Sequence, residues 1–96
     1  MKILFIISTP GGTSILLPLA AACRRKGVEW GAFFTNDGVR LLASDDVADA
    51  LRCARKVVVC EHSWARFMAG ESCPQTLGSQ TQNSILVGEA DHVISL

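Results

Sequence analysis

Short, almost continuous apolar runs recur along this chain, and segments with helical periodicity lie between them. The runs are residues 2–8, 28–35, 56–60 and 92–96. Runs of this kind, rich in β-branched and aromatic residues, are typical of strands that are buried on both faces of a sheet. Because strand and helix alternate throughout, the sequence predicts an α/β fold with a parallel sheet of four to five strands and helices on both faces.

The segments between these runs carry helix signals. Apolar residues recur at helical spacing from about 14 to 26, and three basic residues at the end of this segment suit the negative end of a helix dipole. Pro18 is expected near the first turn, where a missing N–H does little harm. Ser44 resembles the N-cap of a second helix, and further helices are predicted at about 62–69 and 82–88.

A polar stretch at 71–82 separates the last two predicted helices. It contains neither an apolar run nor a helical period, so it is predicted to be a loop. A fifth strand could still lie within this stretch and would then complete the sheet.

Length, charge and composition narrow the class of protein. A length of 96 residues favours a single domain, 1–96. Nine basic residues balance nine acidic ones, so there is no excess of positive charge to favour binding to nucleic acid. The apolar start of the chain is interrupted at 9–14 and is too short to span a membrane, so no membrane association and a cytoplasmic location are expected. With 49% hydrophobic and 19% charged residues, an oligomer that hides apolar surface is favoured.

Four cysteines, Cys23, Cys53, Cys60 and Cys73, are present without any Cys-x-x-Cys pair. The two histidines lie too far apart for a zinc site of ordinary spacing, and two of the cysteines fall within helical patterns. We therefore expect neither a disulfide framework nor a metal, and the function inferred below needs no cofactor.

Cys60 is the main candidate for a reactive residue. It ends the third predicted strand and precedes a predicted helix, whose positive end would favour the thiolate form. Sites in open α/β sheets form beyond the carboxyl ends of the strands, and a thiolate is the nucleophile for sulfur or acyl transfer. Judged by the residues alone, Cys60 fits equally well as a small buried hydrophobe that finishes a valine-rich strand.

Other residues at this edge of the sheet are secondary candidates. Three interpretations of Cys73 stay open: an exposed thiol, a resolving partner for Cys60, or a residue without a role. His62 fits a capping or solvated residue better than a base for Cys60. Pocket-lining positions are expected after the first two strands, and ordinary turn chemistry explains them as well. These positions are Gly11, Gly12, Thr13, Asp37 and Gly38.

Three segments together resemble the DsrE/TusD family (DsrE/DsrF-like proteins) of small sulfur-relay proteins. They are Phe33-Phe34-Thr35-Asn36-Asp37-Gly38-Val39, Val57-Val58-Val59-Cys60 and the terminal Ala90-Asp91-His92-Val93-Ile94-Ser95-Leu96, where the family typically ends Ala-Asp-Arg-Val-Ile-x-Phe. The resemblance runs the whole length of the chain. The chain departs from the family in being shorter, mainly between the second helix and the third strand, and in lacking the Arg-Arg-Gly that some members carry after the cysteine helix.

The resemblance implies more than the residues alone. It implies a three-layer α/β/α sandwich, assembly as a homo- or hetero-oligomer (commonly a trimer or hexamer) and, at the position of Cys60, a catalytic cysteine. In the sulfur-relay members that cysteine carries a persulfide and passes the sulfur to a partner protein.

Three hypotheses follow. The first is a sulfur carrier or sulfurtransferase that uses Cys60 and exchanges sulfur with a donor and an acceptor protein. The second is a non-catalytic module of the same fold that binds a small anion or nucleotide, or serves as an assembly subunit. The third is a thiol redox protein that uses Cys60 and Cys73. A solvent-accessible Cys60 would favour the first over the second.

Overall fold

The computed structural model describes all residues from 1 to 96, and five strands form one sheet. Every neighbouring pair is parallel, and the strand order is β4-β3-β2-β1-β5. The strands are β1 (Ile3–Ile7), β2 (Trp30–Phe34), β3 (Lys56–Cys60), β4 (Thr76–Gly78) and β5 (His92–Ser95). The predicted α/β class with an all-parallel sheet is confirmed, and the fifth strand lies within the stretch predicted as a loop.

Four α-helices and two 3₁₀ segments connect the strands. The helices are α1 (Thr13–Lys26), α2 (Asp45–Leu51), α3 (Glu61–Phe67) and α4 (Gln80–Glu89), and the 3₁₀ segments are Pro10–Gly12 and Asn36–Ala43. None of these helices is both long enough and apolar enough to cross a membrane.

Pro18 lies inside α1 and not in its first turn, so that prediction was wrong. The helix begins at Thr13, and Pro18 therefore removes the N–H that would bond the carbonyl of Ser14. Both residues are exposed, so water can bond to that carbonyl. A proline is therefore tolerated here, whereas at a buried position it would disrupt the helix.

The two faces of the sheet pack against separate cores. The larger core contains 15 buried residues, among them Phe5, Trp30 and Phe34 of the strands, and α1, α2, α3 and the 36–43 segment cover it. The smaller core lies on the opposite face and contains Leu4, Phe33, Val58 and Cys60 beneath Leu86 of α4. Helices on both faces give three layers, as the sequence predicts, but one layer is a single helix.

Candidate functional site

Cys60 is the last residue of β3 and directly precedes α3. Side chains alternate along a strand, so Val59 enters the larger core while Cys60 belongs to the smaller one. Its neighbours there are Leu4, Phe33, Val58 and Leu86, and the residue is 4% exposed. The sulfur thus lies at the carboxyl edge of the sheet, on the face that α4 covers.

One hydrogen bond reaches the Cys60 sulfur: the Gln80 side chain donates from Nε2 at 3.6 Å. The Cys60 side chain does not cap α3 with a hydrogen bond, but the hydroxyl of Ser63 and the backbone N–H groups of Ser63 and His62, at the start of α3, also favour the thiolate form. Burial raises the pKa of the Cys60 thiol, but these polar groups together outweigh burial and leave the pKa below its ordinary value. Neutral dipoles alone lower it, since no charged side chain contributes.

Ser63 connects the cysteine helix to the end of the neighbouring strand. It is 5% exposed, and its Oγ accepts a hydrogen bond from the backbone N–H of Asn36 at 2.8 Å and lies 3.4 Å from Oγ1 of Thr35. Asn36 has a φ of 50°, in the left-handed region that asparagine tolerates better than most residues. Because Asn36 uses a lone pair of the Ser63 oxygen, the hydroxyl proton of Ser63 remains available for Thr35 or for the Cys60 sulfur.

The start of α4 holds Gln80 against the sulfur. Ser79 and Gln82 form a capping box, in which Ser79 Oγ accepts from the Gln82 N–H at 3.4 Å and Gln82 Oε1 accepts from the Ser79 N–H at 2.9 Å. In β4, Gly78 pairs with Cys60, and a Cβ there would come within 2.7 Å of Val58 Cγ1. Glycine at 78 therefore lets the chain turn into α4 close to the sulfur.

Gln80 and Ser63 are site residues that sequence reasoning missed. The Ser79-x-x-Gln82 spacing is a capping-box signal and could have placed the start of α4 at Gln80. Nothing in the sequence shows that the first residue of that helix meets Cys60, because β4, which brings it there, is three residues long and lacks an apolar run.

Neither of the two secondary candidates, His62 and Cys73, bonds the Cys60 sulfur through its side chain. His62 is exposed, and its imidazole makes no hydrogen bond to the sulfur; only the backbone N–H of His62 helps to lower the pKa of the Cys60 thiol. Cys73 is partly buried and packs against the larger core. It therefore lies on the face of the sheet that Val59 enters, opposite to the face of Cys60. Burial raises the pKa of the Cys73 thiol, although a backbone hydrogen bond at Gln75 partly offsets this effect. All four cysteines are free.

The predicted pocket-lining residues occupy the ends of the two neighbouring strands. Asp37 forms an ion pair with Arg40 at 3.4 Å, and Gly38 lies so close to the backbone carbonyl of Ile7 that no side chain fits there. A Cβ on Gly12 would come within 3.4 Å of both Ile7 and Leu96, so this turn packs against the end of the chain.

Strand order decides which of these residues come near Cys60. The segment with Asp37 and Gly38 follows β2, next to β3, and Ser63 ties it to α3. The segment with Gly11, Gly12 and Thr13 follows β1, two strands from Cys60, or about 10 Å at ordinary strand spacing.

Three clefts open on the surface, and none of them is lined by Cys60. The largest, about 470 Å³, is lined by Met1, Arg55, Lys56 and Glu89, at the amino edge of the sheet. The others lie between α1 and α2 and beside Ile85 of α4. No group of three or more His, Cys, Asp or Glu side chains is placed to hold a metal ion. The chemistry available at Cys60 is therefore that of a buried thiol whose pKa is lowered by neutral polar groups.

In comparisons with known proteins, no protein-family model matches this chain and no curated sequence matches it. Membership of the DsrE/TusD family stays a prediction from the residues quoted above.

Proposed function

We propose that this protein carries sulfane sulfur as a persulfide on Cys60 and transfers it to a partner protein. The observation that carries the proposal is the hydrogen bond from Gln80 Nε2 to the Cys60 sulfur at the start of α3, where Gln80, Ser63 and His62 together lower the pKa of a thiol that burial alone would raise. A thiolate is the form that attacks sulfur, and free cysteines buried for packing alone have no need of such donors. The resemblance to the DsrE/TusD family supports the same assignment.

The transfer consists of two thiol–persulfide exchanges. In the first, the Cys60 thiolate attacks the outer sulfur of a donor persulfide, a new S–S bond forms at Cys60, and the donor leaves as a thiolate. In the second, an acceptor thiolate attacks the outer sulfur now on Cys60, and the Cys60 thiolate is the leaving group. The electrons balance without an external oxidant or reductant. Because a thiol of lower pKa leaves faster, the groups that lower the pKa of Cys60 also assist the second step.

A second candidate function is a non-catalytic module of the same fold, and the burial of Cys60 favours it. Cys60 is 4% exposed, so sulfur transfer requires a movement of its neighbours, whereas an assembly subunit requires none. The third hypothesis, a redox pair of Cys60 and Cys73, has no comparable support, because the two residues pack against opposite faces of the sheet.

Location and assembly are part of the proposal. Four free cysteines suit a reducing compartment, and we propose the cytoplasm. We also propose a homo-oligomer, a trimer or hexamer as in the family that the chain resembles, in contact with sulfur donor and acceptor proteins. Two exposed isoleucines support an interface: Ile15 is 50% exposed and Ile85 is 55% exposed.

Peptide mass spectrometry after incubation with a low-molecular-weight persulfide tests the proposal. The Cys60 peptide is expected to gain the mass of one sulfur atom, and Cys60→Ser and Cys60→Ala are both expected to lose this gain. Cys53→Ser removes an exposed thiol outside the site and is the matched control, which keeps the loading. Sulfur on Cys53 alone, or on no cysteine of a folded protein, would exclude the carrier function. The non-catalytic module would then be the remaining candidate.

A further inference from the structure

Gln80 is the one exposed side chain that hydrogen-bonds the Cys60 sulfur. Its Nε2 lies 3.6 Å from Sγ, and this is the single hydrogen bond that its carboxamide makes in the molecule. The backbone beneath it is fixed, because the Ser79–Gln82 capping box closes the first turn of α4. The backbone of Gln80 is therefore held in place near the sulfur, whereas its exposed side chain can rotate away into solvent.

The other polar groups that lower the pKa of the Cys60 thiol are held more firmly than Gln80. Two are backbone N–H groups of α3, and the third, the Ser63 hydroxyl, is buried and bonded to Asn36. These groups belong to α3, whereas Gln80 belongs to α4, which covers the smaller core. Cys60 is 4% exposed, so a reagent from solvent can reach its sulfur only where a neighbouring group moves away, and Gln80 is the neighbour whose side chain is itself exposed to solvent.

We propose that Gln80 is a catalytic residue of this site, whose carboxamide stabilises the anionic sulfur of Cys60 and rotates away to admit the sulfur donor. Its purpose in sulfur transfer rests on the proposed function. The atom that Gln80 contacts, however, is the Cys60 sulfur itself, so the role can be tested without any sulfur donor. When Cys60 carries a persulfide, the outer sulfur lies about 2 Å beyond Sγ, and the flexible carboxamide can follow the charge to it.

The test measures the alkylation rate of Cys60 by iodoacetamide across a pH series, with the Cys60 peptide resolved by mass spectrometry. In Gln80→Ala, the midpoint of the pH profile is expected at higher pH, with the rate below the midpoint reduced about threefold to tenfold, because one hydrogen bond to the thiolate is lost. The plateau rate at high pH is expected to rise, because the covering group is gone. In Gln80→Glu, the midpoint moves further, since a carboxylate replaces the donor with a negative charge.

Thr81→Ala is the matched control, because Thr81 is exposed, adjacent in α4 and outside the site. It is expected to leave both the midpoint and the plateau unchanged. The charged or titratable groups nearest to Cys60 in sequence, Glu61 and His62, are exposed and are kept in all variants.

An unchanged midpoint in both Gln80 variants would overturn the proposal, and so would an equal shift in Thr81→Ala, which would indicate a general loosening of α4. A shifted midpoint in a protein that takes up no sulfur would refute the carrier function while leaving the role of Gln80 intact.

Discussion

On one face of the sheet, three helices and the 36–43 segment help to form a core of 15 buried residues, whereas on the other face α4 alone covers a core of five, one of which is its own Leu86. The larger core contains Phe5 and Trp30 in an edge-to-face contact with ring centroids 5.6 Å apart. The smaller core contains Cys60 and, in α4, a single buried residue, Leu86. The comparison teaches that most of the buried apolar residues lie on one face of the sheet, whereas the candidate cysteine lies on the other, under a single helix.

The same substitution on each face provides the sharpest test of this difference. Leu16 and Leu86 are both fully buried, one in each core, and Leu→Ala in such positions costs about 2–5 kcal/mol of the free energy of unfolding. We expect Leu16→Ala to lie at the upper end of that range and Leu86→Ala at the lower end, because the shallow site can collapse more readily. Urea denaturation measures both free energies.

The two leucine variants should also differ at Cys60. Leu86→Ala is expected to increase the alkylation rate of Cys60 under native conditions, whereas Leu16→Ala leaves it unchanged as long as the protein is folded. An equal increase in the two variants would mean that the sulfur is exposed by global unfolding and not by the loss of the cover that Leu86 provides.

Ser63 joins the two regions, so its removal should affect stability and reactivity together. Ser63→Ala leaves the N–H of Asn36 without its acceptor and is expected to cost about 1–3 kcal/mol. It also removes one of the groups that favour the thiolate, so the pKa of the Cys60 thiol should rise. Ser72→Ala, at an exposed position, is the control for both measurements. A loss of stability without any change in the pH profile of Cys60 alkylation would restrict Ser63 to a structural role.

The smallest expected effect is a pH dependence of opposite sign in the two cores. The pKa of the Cys60 thiol is lowered on folding, so its contribution to stability is present above the ordinary thiol pKa of 9.0 and is lost as the pH falls through the lowered pKa. Burial raises the pKa of the Cys23 thiol in the larger core, so its contribution is present below 9.0 and is lost as the pH rises through the raised pKa.

Urea denaturation from neutral pH to above pH 9.0 measures this effect. The destabilisation caused by Cys60→Ala should grow as the pH rises towards 9.0, whereas that caused by Cys23→Ala should stay constant up to 9.0 and shrink above it. Parallel trends in the two variants would contradict the assignment of a thiolate to one core and a thiol to the other.

The fold was predictable from the sequence wherever one segment determines its own structure. The valine run at 57–59 and the residues around it predict a buried strand, and the position of Cys60 at its end follows directly. By contrast, β4 is three residues long and becomes a strand because β3 offers an edge to pair with, which is a tertiary effect. The donors at Ser63 and Gln80 depend on that pairing and on the contact between α3 and the end of β2, so local patterns do not reveal them.

Competitive alkylation of the four native cysteines, resolved by peptide mass spectrometry below the ordinary thiol pKa, tests most directly whether Cys60 is an anionic sulfur under a mobile cover. If it is, Cys60 reacts ahead of Cys53, although Cys60 is buried and Cys53 is exposed. The opposite order, with Cys53 modified first and Cys60 modified only as the protein unfolds, would show that Cys60 is a packing residue and would contradict the account.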